Sequence, residues 1–157
     1  MPNQRLTKRG HEEPAVCQFT IFLPTQLDKL RELVELFIRG NVHLVALNVL
    51  DSVDAEAVRV IVSDAEAARD ILRSAGLPFT ESQVLAVELP SPDSLADVVG
   101  VLLAAEVRLH MAYPILGTVR GNSIVAVHVE DLPLAARALK NEGFRLLDES
   151  DLWPMAA

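Results

Sequence analysis

The sequence repeats itself, and this self-similarity restricts the possible fold more than any single motif does. The segment QFTIFLPTQLDKLRELVELFIRGNVHLVALNVL resembles QVLAVELPSPDSLADVVGVLLAAEVRLHMAYPIL once Leu23 and Pro24 are set against Leu89 and Pro90. Leu30, Leu33, Val34 and Phe37 then fall on Leu95, Val98, Val99 and Leu102. Both sets keep the i, i+3, i+4, i+7 spacing of one helix face. The second halves match too: AVRVIVSDAEAARDILRSAG runs parallel to IVAVHVEDLPLAARALKNEG, with Ala68, Leu72 and Gly76 on Ala135, Leu139 and Gly143. The duplication covers nearly everything after Val16. Length differences fall in turns: the first strand-to-helix loop is longer in the first copy, and the GTVRGNS loop is longer than its counterpart.

Each copy reads strand, helix, strand, strand, helix, strand. In the first copy Phe19, Ile21 and Leu23 alternate with Gln18, Thr20 and Phe22, and Val58, Val60 and Val62 alternate with Arg59 and Ile61, so one sheet face is buried throughout. Ser63 with Glu66 reads as a capping box for the second helix, and Gly76 as its left-handed end. Asp131 and Gly143 take these parts in the second copy, with Pro133 tolerated in the first helical turn. Phe79 to Leu89 reads as one continuous run, ending the first copy and opening the second. The expected organisation is a mobile arm over residues 1–16, a first repeat over 17–82 and a second over 83–157.

Composition narrows the partners. Half of the 157 residues are hydrophobic yet only 4% are aromatic, so the core is built from Val, Leu, Ile and Ala, the usual filling between helices and a sheet. A net charge of -8 repels phosphate backbones and anionic bilayers, and the few basic residues form no long run. We expect neither nucleic acid nor membrane as partner. The opening MPNQRLTKRG has no apolar stretch behind it, and the apolar helix around Val98 to Ala105 is soon interrupted by Glu106 and Arg108. A cytoplasmic protein is the simplest expectation. The single Cys17 reads as a small core hydrophobe, since it has no partner for an internal disulfide.

FLPTQLDKLRELVELFIRGNVHLVALNVLDSVDAEAVRVIVSD in the first half, with VLAVELPSPDSLADVVGVL and HMAYPILG in the second, resembles the small stand-alone proteins made of two ACT domains. The likeness spans about residues 18 to 150. It implies an α+β fold of two ferredoxin-like βαββαβ units side by side, with a shared antiparallel sheet and helices on one face. It further implies binding of an amino acid or similar effector where units meet, held by backbone groups of the loop between the first strand and first helix. The family normally has a Pro-Gly pair in that loop. This sequence has Leu27 and Asp28 in the first repeat, and Pro92 followed by Asp93 and Ser94 in the second. Glycine's freedom is lost in both loops, and the carboxylates, good caps for a helix start, would repel a ligand carboxylate.

The resemblance therefore places candidate ligand contacts at Thr25, Gln26, Leu27, Asp28 and Lys29 in the first repeat, and at Ser91, Asp93 and Ser94 in the second. Asn41, between the first helix and second strand, sits where ACT domains often supply a polar contact, although a helix-ending Asn after Gly40 is the favoured account of it; the second repeat has Glu106 there. The first repeat is the better candidate. Asp51 and Asp54 read as turn residues, and His11, His43, His110 and His128 lack metal-ligand spacing. GTVRGNS lies between two strand patterns, so it is a hairpin loop and not a phosphate loop.

Leu36 with Val101, and Ile38 with Leu103, lie off the main apolar stripe in both first helices. One flank can pack on the neighbouring helix; the other suggests a surface between units or subunits. The expected function is a regulatory module without catalytic residues, cofactor or metal, sensing an amino acid or related metabolite. A homo-oligomer, dimeric in the simplest case, and a separate enzyme or regulator chain are its expected partners. The alternative is an adaptor that keeps the scaffold but has lost the effector site.

Overall fold

Strand β1 (Val16–Leu23) opens the chain's regular structure, followed by α1 (Leu27–Arg39), β2 (Leu44–Asp51), β3 (Glu56–Val62) and α2 (Ala65–Ser74). Strand β4 (Phe79–Leu89) leads into α3 (Ser94–Ala104), β5 (Leu109–Pro114), β6 (Ser123–Val129), α4 (Leu132–Asn141), the short β7 (Leu146–Leu147) and a 3-10 turn at Glu149–Asp151. These elements come from a computed structural model that describes residues 14–23, 27–51 and 56–154, without the side chains of Leu27, Asp28 and Asp51. Most of the segment read as an N-terminal arm lies outside the described residues. Val16 already belongs to β1 and is buried.

All strands join one antiparallel sheet in the order β2-β3-β1-β4-β6-β5, with β7 also on β4. Strand β4 is the hinge of this arrangement. Its residues Phe79 to Val84 pair with β1, Leu85 to Leu89 pair with β6, and Ala86 and Val87 also face β7. It is thus the fourth strand of one βαββαβ unit and the first of the next, as the continuous Phe79–Leu89 pattern requires.

Local hydrogen bonds repeat with the units. Val42 N–H donates to the Phe37 carbonyl as Val107 N–H does to Leu102, and Leu77 to Leu72 as Phe144 does to Leu139. Ser63 donates to His43 as Glu130 does to Arg108, and each unit carries a β-bulge at the matched place, between Leu44 and Ala46 or between Leu109 and Met111. Asn41 and Glu106 both hold φ near +60°, the left-handed residue that ends the first helix of each unit. The side chain that caps α2 is Asp64, which accepts from Ala67 N–H; the Ser63 hydroxyl instead accepts from His43 N–H, which corrects the expected Ser63–Glu66 capping box. An Asp directly before the helix reaches the orphan amides more directly than Ser63 one residue earlier. Asp131 caps α4 as expected, accepting from Leu134 N–H.

Burial follows the alternation on the helix side. Phe19, Ile21, Val58 and Val60 pack beneath Leu33, Phe37 and Leu72 of α1 and α2. Leu85, Val87, Val125 and Val127 pack beneath Val98, Leu102 and Leu139 of α3 and α4. Part of the opposite sheet face is also buried. Val45 and Ala46 of β2 share a third core with Ala86, Tyr113, Ile124 and Leu152, although β2 and β5 stand at opposite ends of the strand order. A flat sheet could not bring them together, so it curls back on itself and encloses the face away from the helices. Leu116 N–H donates to the Val45 carbonyl at 2.8 Å across that closure.

Candidate functional site

Strand β1 ends at Leu23, and α1 rises from Leu27, so the loop singled out by the sequence lies at one end of the first unit. Thr25 and Gln26 fall outside the described residues, as do the side chains of Leu27 and Asp28. Lys29 is described, with its ammonium 3.5 Å from Glu32 one turn along α1; both side chains are exposed, so the pair adds little stability and is free to rearrange. Beside it lies a cleft of about 270 Å³ whose walls include Leu23, Leu33, Leu36 and Leu77. The last of these follows Gly76, whose φ of +70° turns the chain out of α2 toward the cleft. An apolar pocket with one cation and one anion at its mouth can hold a small zwitterion with an aliphatic body. Sequence reasoning found Lys29 but missed Glu32 and the leucine wall. The Lys29–Glu32 spacing of three was the available signal, but the approach of Leu77 depends on tertiary packing.

In the second unit the matching loop is closed on itself. Asp93 N–H donates to the Ser91 hydroxyl, and Ser94 begins α3. Asp93 makes no side-chain cap bond, because its backbone is already helical, so the carboxylate proposed as a good cap stands free of that role. Asn41 follows the C-terminal end of α1 and does not line the cleft, and its left-handed backbone marks it as a helix terminator. The sequence-derived contacts are thus not brought into one place among the described residues.

Two buried polar clusters were not foreseen. At the seam between the units, Gln18 donates to the Ser82 hydroxyl at 3.2 Å and accepts from the Tyr113 hydroxyl. Burial raises the Tyr113 pKa above its ordinary range, despite the opposing influence of Arg59. His128, near the same seam, is held below its usual pKa by burial and by His110 and Arg59. At the end of β4, the buried Glu88 carboxylate accepts from Arg120 at 2.5 Å and Asn122 at 2.6 Å, with Arg145 at 3.5 Å. Burial alone would raise its pKa; the donors and the two arginine charges outweigh that and lower it. This pins the GTVRGNS loop to the sheet, consistent with its reading as a hairpin.

The C-terminal segment crosses to the first unit. Glu149 accepts from Ala65 N–H at the start of α2, Leu152 is fully buried in the core on the sheet face away from the helices, and Trp153 stacks on His43 with ring centroids 3.9 Å apart. Cys17 donates to Glu81, and burial followed by the Glu81 charge pushes its thiol up to about 12, an inert thiol rather than a nucleophile. Among the described residues no cluster of three or more His, Cys, Asp or Glu could hold a metal ion, and no helix is long and apolar enough to cross a membrane.

The doubled βαββαβ order has a counterpart among known families: the sequence matches the ACT domain pair over residues 14–155. The chain belongs to the ACT domain pair family. Among solved structures the ACT pair is similar to protein BT0572 from Bacteroides thetaiotaomicron, with 26% identity, 91% of this chain and 99% of that one covered, and a TM-score of 0.82. It shares its fold with the ligand-free regulatory subunit of aspartate kinase from Thermus thermophilus, at 12% identity and a TM-score of 0.56, over 83% and 97% of the two chains. The corresponding subunit from Thermus flavus gives 11% and 0.54, over 82% and 93%. No curated protein matches the sequence.

Proposed function

We propose that this ACT pair is a regulatory module without catalytic activity that binds an amino acid or related metabolite and passes its bound state to a partner chain. The observation that carries the reading is the family match over residues 14–155. The fold of aspartate kinase regulatory subunits, which are subunits of an enzyme, supports action on a separate chain. We place the effector in the first unit, at the segment Thr25 to Lys29 that leads into α1 and at the leucine cleft beside Lys29, where Lys29 would meet a carboxylate and Glu32 an ammonium group. Asp28 stands in the first turn of α1, beside Lys29, so the positive or donating part of the ligand should turn toward it. Ser91, Asp93 and Ser94 form the weaker, second candidate; Asn41 serves its helix end. Self-association into a homo-oligomer and a cytoplasmic location belong to the same proposal.

A thermal-shift screen against the twenty amino acids tests it. A ligand at a hundred times its dissociation constant stabilises by about 2.7 kcal/mol, a rise of roughly 5–10 °C for a chain of this size. Replacing Asp28 with Gly should change affinity or selectivity, and the matched Asp93→Gly change should do less. The adaptor reading is favoured by the uncapping carboxylate of Asp93 at a loop where ligand carboxylates would approach. No binding by the natural protein, with binding gained by Asp28→Gly, would establish that reading instead.

A further inference from the structure

Helices α1 and α3 hold the same place in the two units, yet their outer faces differ. Helix α1 exposes Ile38 (67%) but otherwise covers its solvent side with charge, including the Arg31–Glu35 pair at 3.1 Å and Arg39. Helix α3 exposes Leu95 (42%), Val99 (46%) and Leu103 (75%), and of its eleven residues only Asp97 is charged. Beside that bulky row runs a row of small residues, Ala96, Gly100 and Ala104, which with Ala138 of α4 lines a groove of about 670 Å³ that carries Asp97 and Glu142 on its walls. The matched groove of the first unit is smaller, about 430 Å³, and holds Ile71 where the second has Ala138 and the charged Arg39 where it has Ala104. Since α1 shows that the unit tolerates a charged face here, the bare face of α3 is not imposed by the fold. A helix that is apolar on all sides is normally covered.

We propose that the α3–α4 face is a two-fold interface with a second copy of this chain. The occupant follows from self-complementarity. A ridge (Leu95, Val99, Leu103) and a groove (Ala96, Gly100, Ala104) lie side by side on one helix, so a two-fold axis sets each ridge into the other copy's groove and satisfies both at once. A different partner would need only one of them. Charge permits it: at a net charge of -8, two copies repel over most of their surface, but the ridge of Leu95, Val99 and Leu103 carries no charge of its own. Eleven helical residues span about 16 Å. A strip two helices wide and that long falls below the roughly 800 Å² per partner of a standard stable interface. The dimer should therefore come apart on dilution.

The proposal rests on the self-association named above, and sedimentation equilibrium of the full chain from roughly micromolar to roughly millimolar concentration tests both. We expect a monomer–dimer equilibrium that Leu103→Glu weakens by at least about tenfold, a change of about 1.4 kcal/mol. Gly100→Leu should weaken it similarly, because it fills the groove at a position with no atom within 4 Å of an added Cβ. Ile38→Glu, at the matched and also exposed place on α1, should leave it within about twofold; circular dichroism verifies that each variant is folded. A dimer that survives both α3 changes, or that Ile38→Glu breaks equally, overturns the α3 surface while self-association stands. A strict monomer at every concentration overturns both.

Discussion

At the scale of single residues, the acid-sensitive groups are the buried or paired carboxylates. Glu88 is clamped by Arg120, Asn122 and Arg145, and Glu81 is held low chiefly by its bond from Arg69, with Nε and Nη2 donating at 2.7 and 2.8 Å. For a carboxylate whose pKa is lower in the folded state, the stabilisation is complete above the unfolded pKa and is lost as pH falls through the folded one. The protein should therefore lose stability on acidification through and below the ordinary carboxylate range. Glu88→Gln should flatten part of that dependence, read as melting temperature against pH. A variant that retains the natural slope would show that Glu88 is not one of the coupled groups.

At the scale of elements, the caps divide α2, α3 and α4 into two kinds. Asp64 and Asp131 each accept from an amide three residues on, whereas Asp93 accepts none and lies in helical backbone. Asp64→Ala and Asp131→Ala should each cost about 1 kcal/mol in urea unfolding, and Asp93→Ala a few tenths through the helix dipole alone. Equal losses at all three positions would mean that the side-chain bond contributes nothing. The same contrast shows what was legible in the sequence. The period of the apolar residues placed β1, α1 and their counterparts, and Gly76 and Gly143 ended α2 and α4, because these signals are local. The sequence named Asp131 as a cap but chose Ser63 over Asp64, since both residue types serve in that role and only the backbone decides between them. Within the candidate site it pointed to the loop and Lys29, while the leucine cleft required Leu77 to arrive from the end of α2, a contact between residues distant in sequence. The second buried sheet face did leave a trace that alternation overlooks: VLAVEL in β4 and IVAV in β6 are nearly unbroken apolar runs, the mark of strands covered on both sides.

At the scale of the whole molecule, the two units have little chance to unfold separately. They share β4 as a common strand, their inner sheet faces form one core, and the C-terminal segment ties the second unit back to the first through Glu149, Leu152 and Trp153. Trp153 is the only tryptophan, so its fluorescence reports on the contact with His43 while circular dichroism reports on all helices and strands. The two signals should trace one coincident urea transition, as a single cooperative domain requires. Leu152→Ala should lower stability by about 2–5 kcal/mol, the usual cost of emptying a buried leucine site, although this residue lies beyond the last strand. Because Leu152 touches the core common to both units, the variant should shift both signals together. If the fluorescence transition moved ahead of the dichroism transition, the C-terminal segment would be a detachable strap and the core inside the curled sheet would hold without it.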